Sequence, residues 1–312
     1  MSPHDFPARR DCVTTCPRLP DEPDFKIRHE FVEANGLRFH YVEAGSGPLV
    51  LLLHGFPEFW YAWRRQIPAL AQRFRVVAPD LRGYNLTDKP PRGYGMDVLV
   101  RDVLGLLDGL GAERAAIVGH DWGGAIAWAA ATWHPDRVER LAILNAPHPA
   151  AYLRELRHGP RQWLKGWYIL FFQLPDIPEW ALGRRDCQAI GRALRNSAVD
   201  PEAFSADDLA AYRQAMCRPG ALRASLAYYR ALGRDPTPRV IRRRLRTIPV
   251  PTLVIWGKQD VALVPELAEG LEEWVSDLCL QRVPDAGHWV QHERPELVNQ
   301  LLLEFLSEGG DR

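Results

Sequence analysis

No surplus of either charge sign marks this chain: its 312 residues carry 39 Lys plus Arg and 39 Asp plus Glu. A balance of that kind argues against nucleic acid or an anionic membrane surface as the main partner. The one basic run, "RVIRRRLR" (Arg239–Arg246), reads as a solvated face. Nothing approaches the roughly 20 apolar residues needed to span a bilayer. The nearest run, "WLKGWYILFFQLP" (Trp163–Pro175), is short, contains a lysine and reads as a buried helix lining a pocket, with a position on a membrane surface as the alternative. No internal repeat or low-complexity segment occurs. No Gly-rich phosphate loop or dinucleotide fingerprint occurs either, so no cofactor is expected. "HWVQH" (His288–His292) has helical spacing but lacks the H-E-x-x-H arrangement, and no metal is expected.

Cysteine is scarce and scattered. Only Cys12 and Cys16 are close, and "CVTTC" has no second half at metal-ligand spacing; Cys187, Cys217 and Cys279 stand apart. All are expected to be reduced thiols of a cytoplasmic protein. The N-terminus lacks the continuous apolar core of a signal peptide, and its proline and charge content suggests a loosely held arm over residues 1–24.

What is present is a pattern of buried strands. "FKIRHEFVEANGLRFHYVEAG" alternates with period two about Asn35-Gly36 and reads as a hairpin. "PLVLLLHG", "FRVVAPD", "RAAIVGHD" and "RVERLAILNAP" are continuous apolar runs, as in strands covered on both faces. "MDVLVRDVLGLLDGLG" spaces its apolar residues helically and ends on glycine. After Pro147 the strand pattern stops for nearly a hundred residues of aromatic and charged helical sequence. It resumes at "PTLVIWGKQD" and "LCLQRVPDAGH", each expected to lead into a helix. The reading is an α/β fold: a mostly parallel sheet flanked by helices, with a helical cap inserted after the sixth strand. The arm (1–24) precedes a first core part (25–147), the cap (148–246) and a second core part (247–312). An insertion leaving the carboxyl end of a strand belongs over the ligand crevice of such a sheet.

Chemistry concentrates at strand ends. In "VGHDWGGAIAW" a Gly119-x-Asp121-x-Gly123 pattern follows an apolar strand and opens a helix. Small residues there allow a sharp strand-to-helix turn that exposes the central side chain, usually a serine. An aspartate needs no base to be nucleophilic. Asp260 ends the strand "TLVIWGKQD" and His288 follows "LCLQRVPDAG", in the order nucleophile, acid, histidine. Asp260 would orient one imidazole nitrogen while the other takes a proton from water. The backbone N–H groups of Phe56, in "HGFP", and of Trp122 would hold a developing oxyanion.

The chain resembles the epoxide hydrolases of the α/β-hydrolase superfamily, close to the soluble type. "HGFPEFWYAWR", "PDLRGY", "GHDWGG", "GKQD" and "GHWVQHERPE" carry the resemblance, which runs from about Phe25 to Leu306. It implies attack by Asp121 on an epoxide carbon, an alkyl-enzyme ester, and hydrolysis to a vicinal diol in a detoxifying enzyme. It also implies two cap tyrosines that hydrogen-bond the leaving oxygen. "WYILFFQ" points to Tyr168 and "AYYR" to Tyr229, with Tyr228 the minor alternative. The expected partner is a small apolar epoxide, with Trp60, Trp63, Trp167 and Trp289 around its pocket. No membrane insertion is expected, and assembly as a homodimer stays open.

Neighbouring activities fit less well. Haloalkane dehalogenases share the aspartate but hold halide with an asparagine where this chain has Phe56. Fluoroacetate dehalogenases follow the aspartate with arginine, where Trp122 stands. A serine esterase lacks the aspartate. An inactive binding protein on the same scaffold would have lost at least one catalytic group, whereas this chain retains all of them.

Overall fold

The computed structural model describes residues 26–234 and 247–308. The N-terminal arm with Cys12 and Cys16, and the basic run, lie outside the described residues. The first elements are β1 (Arg28–Ala34) and β2 (Leu37–Ala44), paired antiparallel. Asn35 and Gly36 both take positive φ (48° and 75°), the twist that a two-residue hairpin turn requires. Next come β3 (Leu49–Leu53), α1 (Ile67–Leu70), β4 (Arg75–Pro79) and α2 (Met96–Gly109). Then follow β5 (Ala115–His120), α3 (Asp121–Trp133) and β6 (Val138–Leu144).

Among the described residues, helices alone intervene before the sheet resumes: α4 (Pro149–His158), α5 (Pro160–Lys165), α6 (Trp167–Phe171), α7 (Ile177–Ser197), α8 (Ala206–Met216) and α9 (Ala221–Arg234). After them come β7 (Thr252–Gly257), β8 (Leu278–Val283), α10 (Val290–Glu293) and α11 (Pro295–Ser307). The strands form one sheet in the order β1-β2-β4-β3-β5-β6-β7-β8, parallel from β4 to β8. Every residue of β3, β5 and β7 is buried, as their unbroken apolar runs require when helices cover both faces. The carboxyl ends of β3, β5, β6, β7 and β8 are therefore neighbours in space.

Two local expectations are corrected. Between β7 and β8 the described residues form no α-helix; Pro265 and Gly270 divide that segment into short 3-10 turns at Pro265–Ala268 and Leu271–Glu273. The run Trp163–Pro175 is not one buried helix, because Gly166 breaks it between α5 and α6 and only one side of it faces inward. Cysteine usage also departs from expectation. Cys187 and Cys217 form a disulfide that ties a kink in α7 to the end of α8, while Cys279 is free and exposed. A pairing across 30 residues is set by how the two helices pack, which spacing along the chain does not reveal.

The turn from β5 into α3 leaves no space beside Gly123. A Cβ there would run into the backbone carbonyls of Leu53 and His54 at the end of β3. Backbone cannot swing aside as a flexible side chain can, so Gly123→Ala is expected to cost about 3 kcal/mol, the upper end for an overpacked site. Thermal unfolding checks this, and a Tm equal to that of the parent would refute it.

Candidate active site

Asp121 is the first residue of α3 and adopts φ 49°. A non-glycine residue held in that region is costly unless its surroundings enforce it. Here the tight contact between the helix start and β3 enforces it and lifts the carboxylate out of the sheet. Asp121 Oδ1 accepts a 2.8 Å hydrogen bond from the Phe56 backbone N–H. The Trp122 N–H lies in the first turn of α3, among the amides that no helical carbonyl claims. The positive end of the helix further favours a carboxylate at this point.

The loop carrying Phe56 is itself held. His54 donates from Nδ1 to the Gly55 carbonyl at 2.8 Å and accepts at Nε2 from the Leu81 N–H at 3.0 Å. Both ring nitrogens are thus committed with the imidazole neutral, in line with the burial that lowers its pKa.

His288, after β8, presents Nδ1 to Asp260 Oδ2 at 2.8 Å and turns Nε2 toward Asp121 Oδ2 at 3.7 Å. Burial disfavours its charged form, but Asp260 and then Asp121 outweigh burial and hold its pKa well above the usual value. Asp260, after β7, is fixed from several sides. Its Oδ1 accepts from the Ala262 and Leu263 N–H groups at 2.7 and 2.9 Å, and its Oδ2 from Asn145 Nδ2 at 2.8 Å. Burial works against the Asp260 charge as well, yet His288 and these donors keep its pKa low.

The cap closes this arrangement. Rings of Phe56, Trp122, Tyr168, Phe172 and Tyr229 meet one another at 5.0 to 6.0 Å between centroids. Burial, followed by the nearby Asp121 charge, raises the pKa of both Tyr168 and Tyr229 well above that of a free phenol. Each therefore keeps its O–H as a donor at neutral pH. Tyr228 is committed elsewhere, donating to the Arg82 carbonyl at 2.8 Å. From α5, Lys165 donates to the Asp260 and Leu263 carbonyls, which ties α5 to the loop after β7.

The tryptophans divide. Trp289 sets its ring 4.7 Å from that of His288 and donates Nε1–H to Ser197 Oγ at 2.8 Å. Trp60 and Trp63 are fully buried in the core segment that follows the Phe56 loop, Trp60 against Phe59, Tyr61 and His29. Trp167 is 64 % exposed on the outside of α6. The expectation that Trp167 lines a pocket is corrected by its exposure. A large apolar ring finds its lowest free energy in whichever interior the backbone offers, and sequence proximity to a motif does not choose it.

Several positioning residues escaped sequence reasoning. Asn145, at the end of β6, bridges β7 and Asp260: besides Asp260 it bonds the Gly257 carbonyl at 3.2 Å and the Gly257 N–H at 2.9 Å. Glu58 is fully buried and accepts from Gly55 N–H (3.2 Å), His120 Nδ1 (2.8 Å) and His292 Nε2 (2.9 Å). Burial opposes its charge, but His120 and His292 hold its pKa well below the usual value. His120 Nε2 lies 2.9 Å from the His288 carbonyl, so Glu58 braces the Phe56 loop and the histidine together. Behind it, burial and the Arg64 charge lower the His292 pKa to about 4. Arg64 in turn pairs with Asp208 of α8 at 2.8 Å, joining core to cap.

Gln173 and Arg230 explain the two tyrosine motifs. Gln173 Nε2 bonds the Ile169 and Tyr229 carbonyls at 3.1 and 2.9 Å, and Arg230 donates to the Phe172 and Leu174 carbonyls while pairing with Glu179. The Phe-Gln and Tyr-Arg pairs thus lock the two phenol-bearing segments to each other.

Residues 48–295 match the family model described as alpha/beta hydrolase fold. The chain is 42 % identical over 285 residues to the AB hydrolase superfamily protein YfhM of Bacillus subtilis, covering 90 % of this chain and 98 % of that protein. It is 37 % identical over 286 residues to human epoxide hydrolase 4, covering 89 % and 78 % of the two chains. Among solved structures, it is similar to a mutant of an epoxide hydrolase from Bacillus megaterium complexed with its product, a naphthyloxy-propane-1,2-diol. That likeness has a TM-score of 0.81 at 36 % identity, over 89 % of this chain and 100 % of that one.

Proposed function

Because the chain belongs to the α/β-hydrolase family and, within it, to the epoxide hydrolases, we propose that it opens its epoxide through a covalent ester on Asp121. The observation that carries this reading is the setting of the Asp121 carboxylate. One oxygen is already held by the Phe56 N–H, the other is turned toward His288, and two protonated phenols close the space above.

Oδ2 attacks one ring carbon, and the C–O bond breaks toward Tyr168 and Tyr229, which donate to the leaving oxygen as it gains charge. Proton uptake through a phenol leaves a β-hydroxy ester. Its carbonyl oxygen, Oδ1, starts in its hydrogen bond to Phe56. Forming the ester also removes the Asp121 charge that helps hold the proton on His288. The histidine can then release that proton and take one from water, with Asp260 fixing the ring. Hydroxide adds to the ester carbonyl carbon and Phe56 and Trp122 N–H groups hold the oxyanion; collapse passes a proton from His288 to the departing diol, and the carboxylic acid left on Asp121 then gives its own proton to His288, restoring the carboxylate and the charged ring. A carboxylate attacking a carbonyl would instead give an anhydride, so a saturated electrophilic carbon is the better match for Asp121.

The aromatic enclosure of Phe56, Trp122 and Phe172 favours a bulky apolar epoxide. The Bacillus megaterium enzyme with its naphthyloxy diol supports an aryl-bearing epoxide as the first class of compound to try. A single turnover of styrene oxide in ¹⁸O-labelled water, with mass spectrometry of diol and of the peptide containing Asp121, tests the mechanism. Label in Asp121 and none in the first diol is expected. Label in the diol and none in the aspartate would mean direct attack by water and would end the ester reading. Halide release from a chloroalkane without diol formation would transfer the site to dehalogenation.

A further inference from the structure

The outer face of the cap is unlike the rest of the surface. Trp163, Leu164, Trp167, Leu170, Leu174 and Trp180 are each between 43 and 70 % exposed, and they follow one another along α5, α6 and the start of α7. Single exposed apolar side chains are ordinary, but so many gathered between Trp163 and Trp180 mark an interaction surface.

The rim of this face is cationic although the chain as a whole is neutral. Arg157, Arg184 and Arg185 are exposed, with the Arg184 guanidinium 4.5 Å over the Trp180 ring. Of the acidic groups nearby, Glu155 pairs with Arg154, Asp176 with Arg223 and Glu179 with Arg230, while Asp186 is exposed beside Arg185, so the excess positive charge rests on Arg157 and Arg184. Tryptophan and leucine bordered by arginine is the composition of surfaces that lie in the headgroup region of a bilayer. We propose that this face of the cap docks peripherally on an anionic lipid surface and receives substrate from it. Among the described residues no helix is long and apolar enough to cross a membrane, so docking is confined to the interface. A second copy of the chain fits less well, because matching the two apolar faces would bring the two arginine rims together.

The same turn of α6 that points Trp167 and Leu170 outward places Tyr168 within reach of the Asp121 charge. An apolar epoxide concentrated in lipid would therefore meet the protein at the element that carries one of its ring-opening phenols. Only this delivery step rests on the proposed function; docking itself does not.

The test is co-sedimentation of the full chain with phosphatidylcholine vesicles, with and without phosphatidylglycerol. Binding to the anionic vesicles that weakens with added salt is expected. Leu164→Ser/Leu170→Ser should weaken it by at least about tenfold. Arg157→Gln/Arg184→Gln should reduce the preference for phosphatidylglycerol by about fivefold per arginine. Unaltered turnover of a water-soluble epoxide by both variants would show that they are folded. A chain that stays in the supernatant with either vesicle overturns the proposal. So does a dimer, seen by light scattering, that Leu164→Ser/Leu170→Ser splits into monomers. An inactive chain that still binds anionic vesicles would sink the catalytic reading and leave docking intact.

Discussion

His288→Gln is expected to stop the enzyme halfway, with one equivalent of epoxide bound covalently to Asp121 and steady-state diol formation reduced by about 10³-fold or more. Glutamine can keep a hydrogen bond to Asp260 but cannot take a proton from water, so the ester forms and is not hydrolysed. Ring opening does not need the imidazole as a base, because the nucleophile is a carboxylate. The change also removes the positive partner 3.7 Å from Asp121, which exposes that carboxylate's charge rather than quenching it. Intact-protein mass spectrometry after mixing with styrene oxide should show an adduct equal to the epoxide mass, located by digestion to the peptide containing Asp121. Turnover equal to the parent's, or loss of turnover with no adduct, would remove His288 from the role of base.

Much of this site was legible because it rests on backbone rules. Buried parallel strands leave unbroken apolar runs in the sequence, so the strands ending at Leu53, His120 and Gly257 could be read directly, and their ends hold Phe56, Asp121 and Asp260. The turn at Asp121 announced itself through glycines that a side chain cannot replace. What escaped depends on contacts between distant segments. Asn145 has no periodicity to mark it, and its part in holding Asp260 appears only when β6 lies beside β7. Glu58 reads as an ordinary acid among aromatics until His120 and His292 are brought around it. The pairing of Cys187 with Cys217 and the exposure of Trp167 follow from how cap helices pack, and amphipathic helical sequence leaves that open. Gln173 and Arg230 are the intermediate case: visible as motif letters, but explained only by the carbonyls they bind.

Tyr168→Phe/Tyr229→Phe should slow ring opening by about 10³-fold or more, with each single change costing roughly 10- to 100-fold. The reason is where charge appears. In the ground state the epoxide oxygen is a weak acceptor, whereas in the transition state it approaches an alkoxide, so donors fixed in place act mainly on the barrier. Burial and the Asp121 charge raise both phenol pKa values, so neither hydroxyl is lost as pH rises through the neutral range. The pair is held from outside by Gln173 and Arg230, and replacing a hydroxyl with hydrogen leaves those bonds and the ring contacts untouched. A structural role would lower Tm and leave the ratio of the two half-reactions unchanged. A catalytic role predicts a slower alkylation rate in rapid-quench experiments, with hydrolysis of the ester nearly as in the parent. Tyr228→Phe is the control, since its hydroxyl serves the Arg82 carbonyl; it should affect stability more than alkylation. If the double variant alkylates Asp121 at the parental rate, the leaving oxygen is stabilised by some other group and the cap tyrosines are packing residues only.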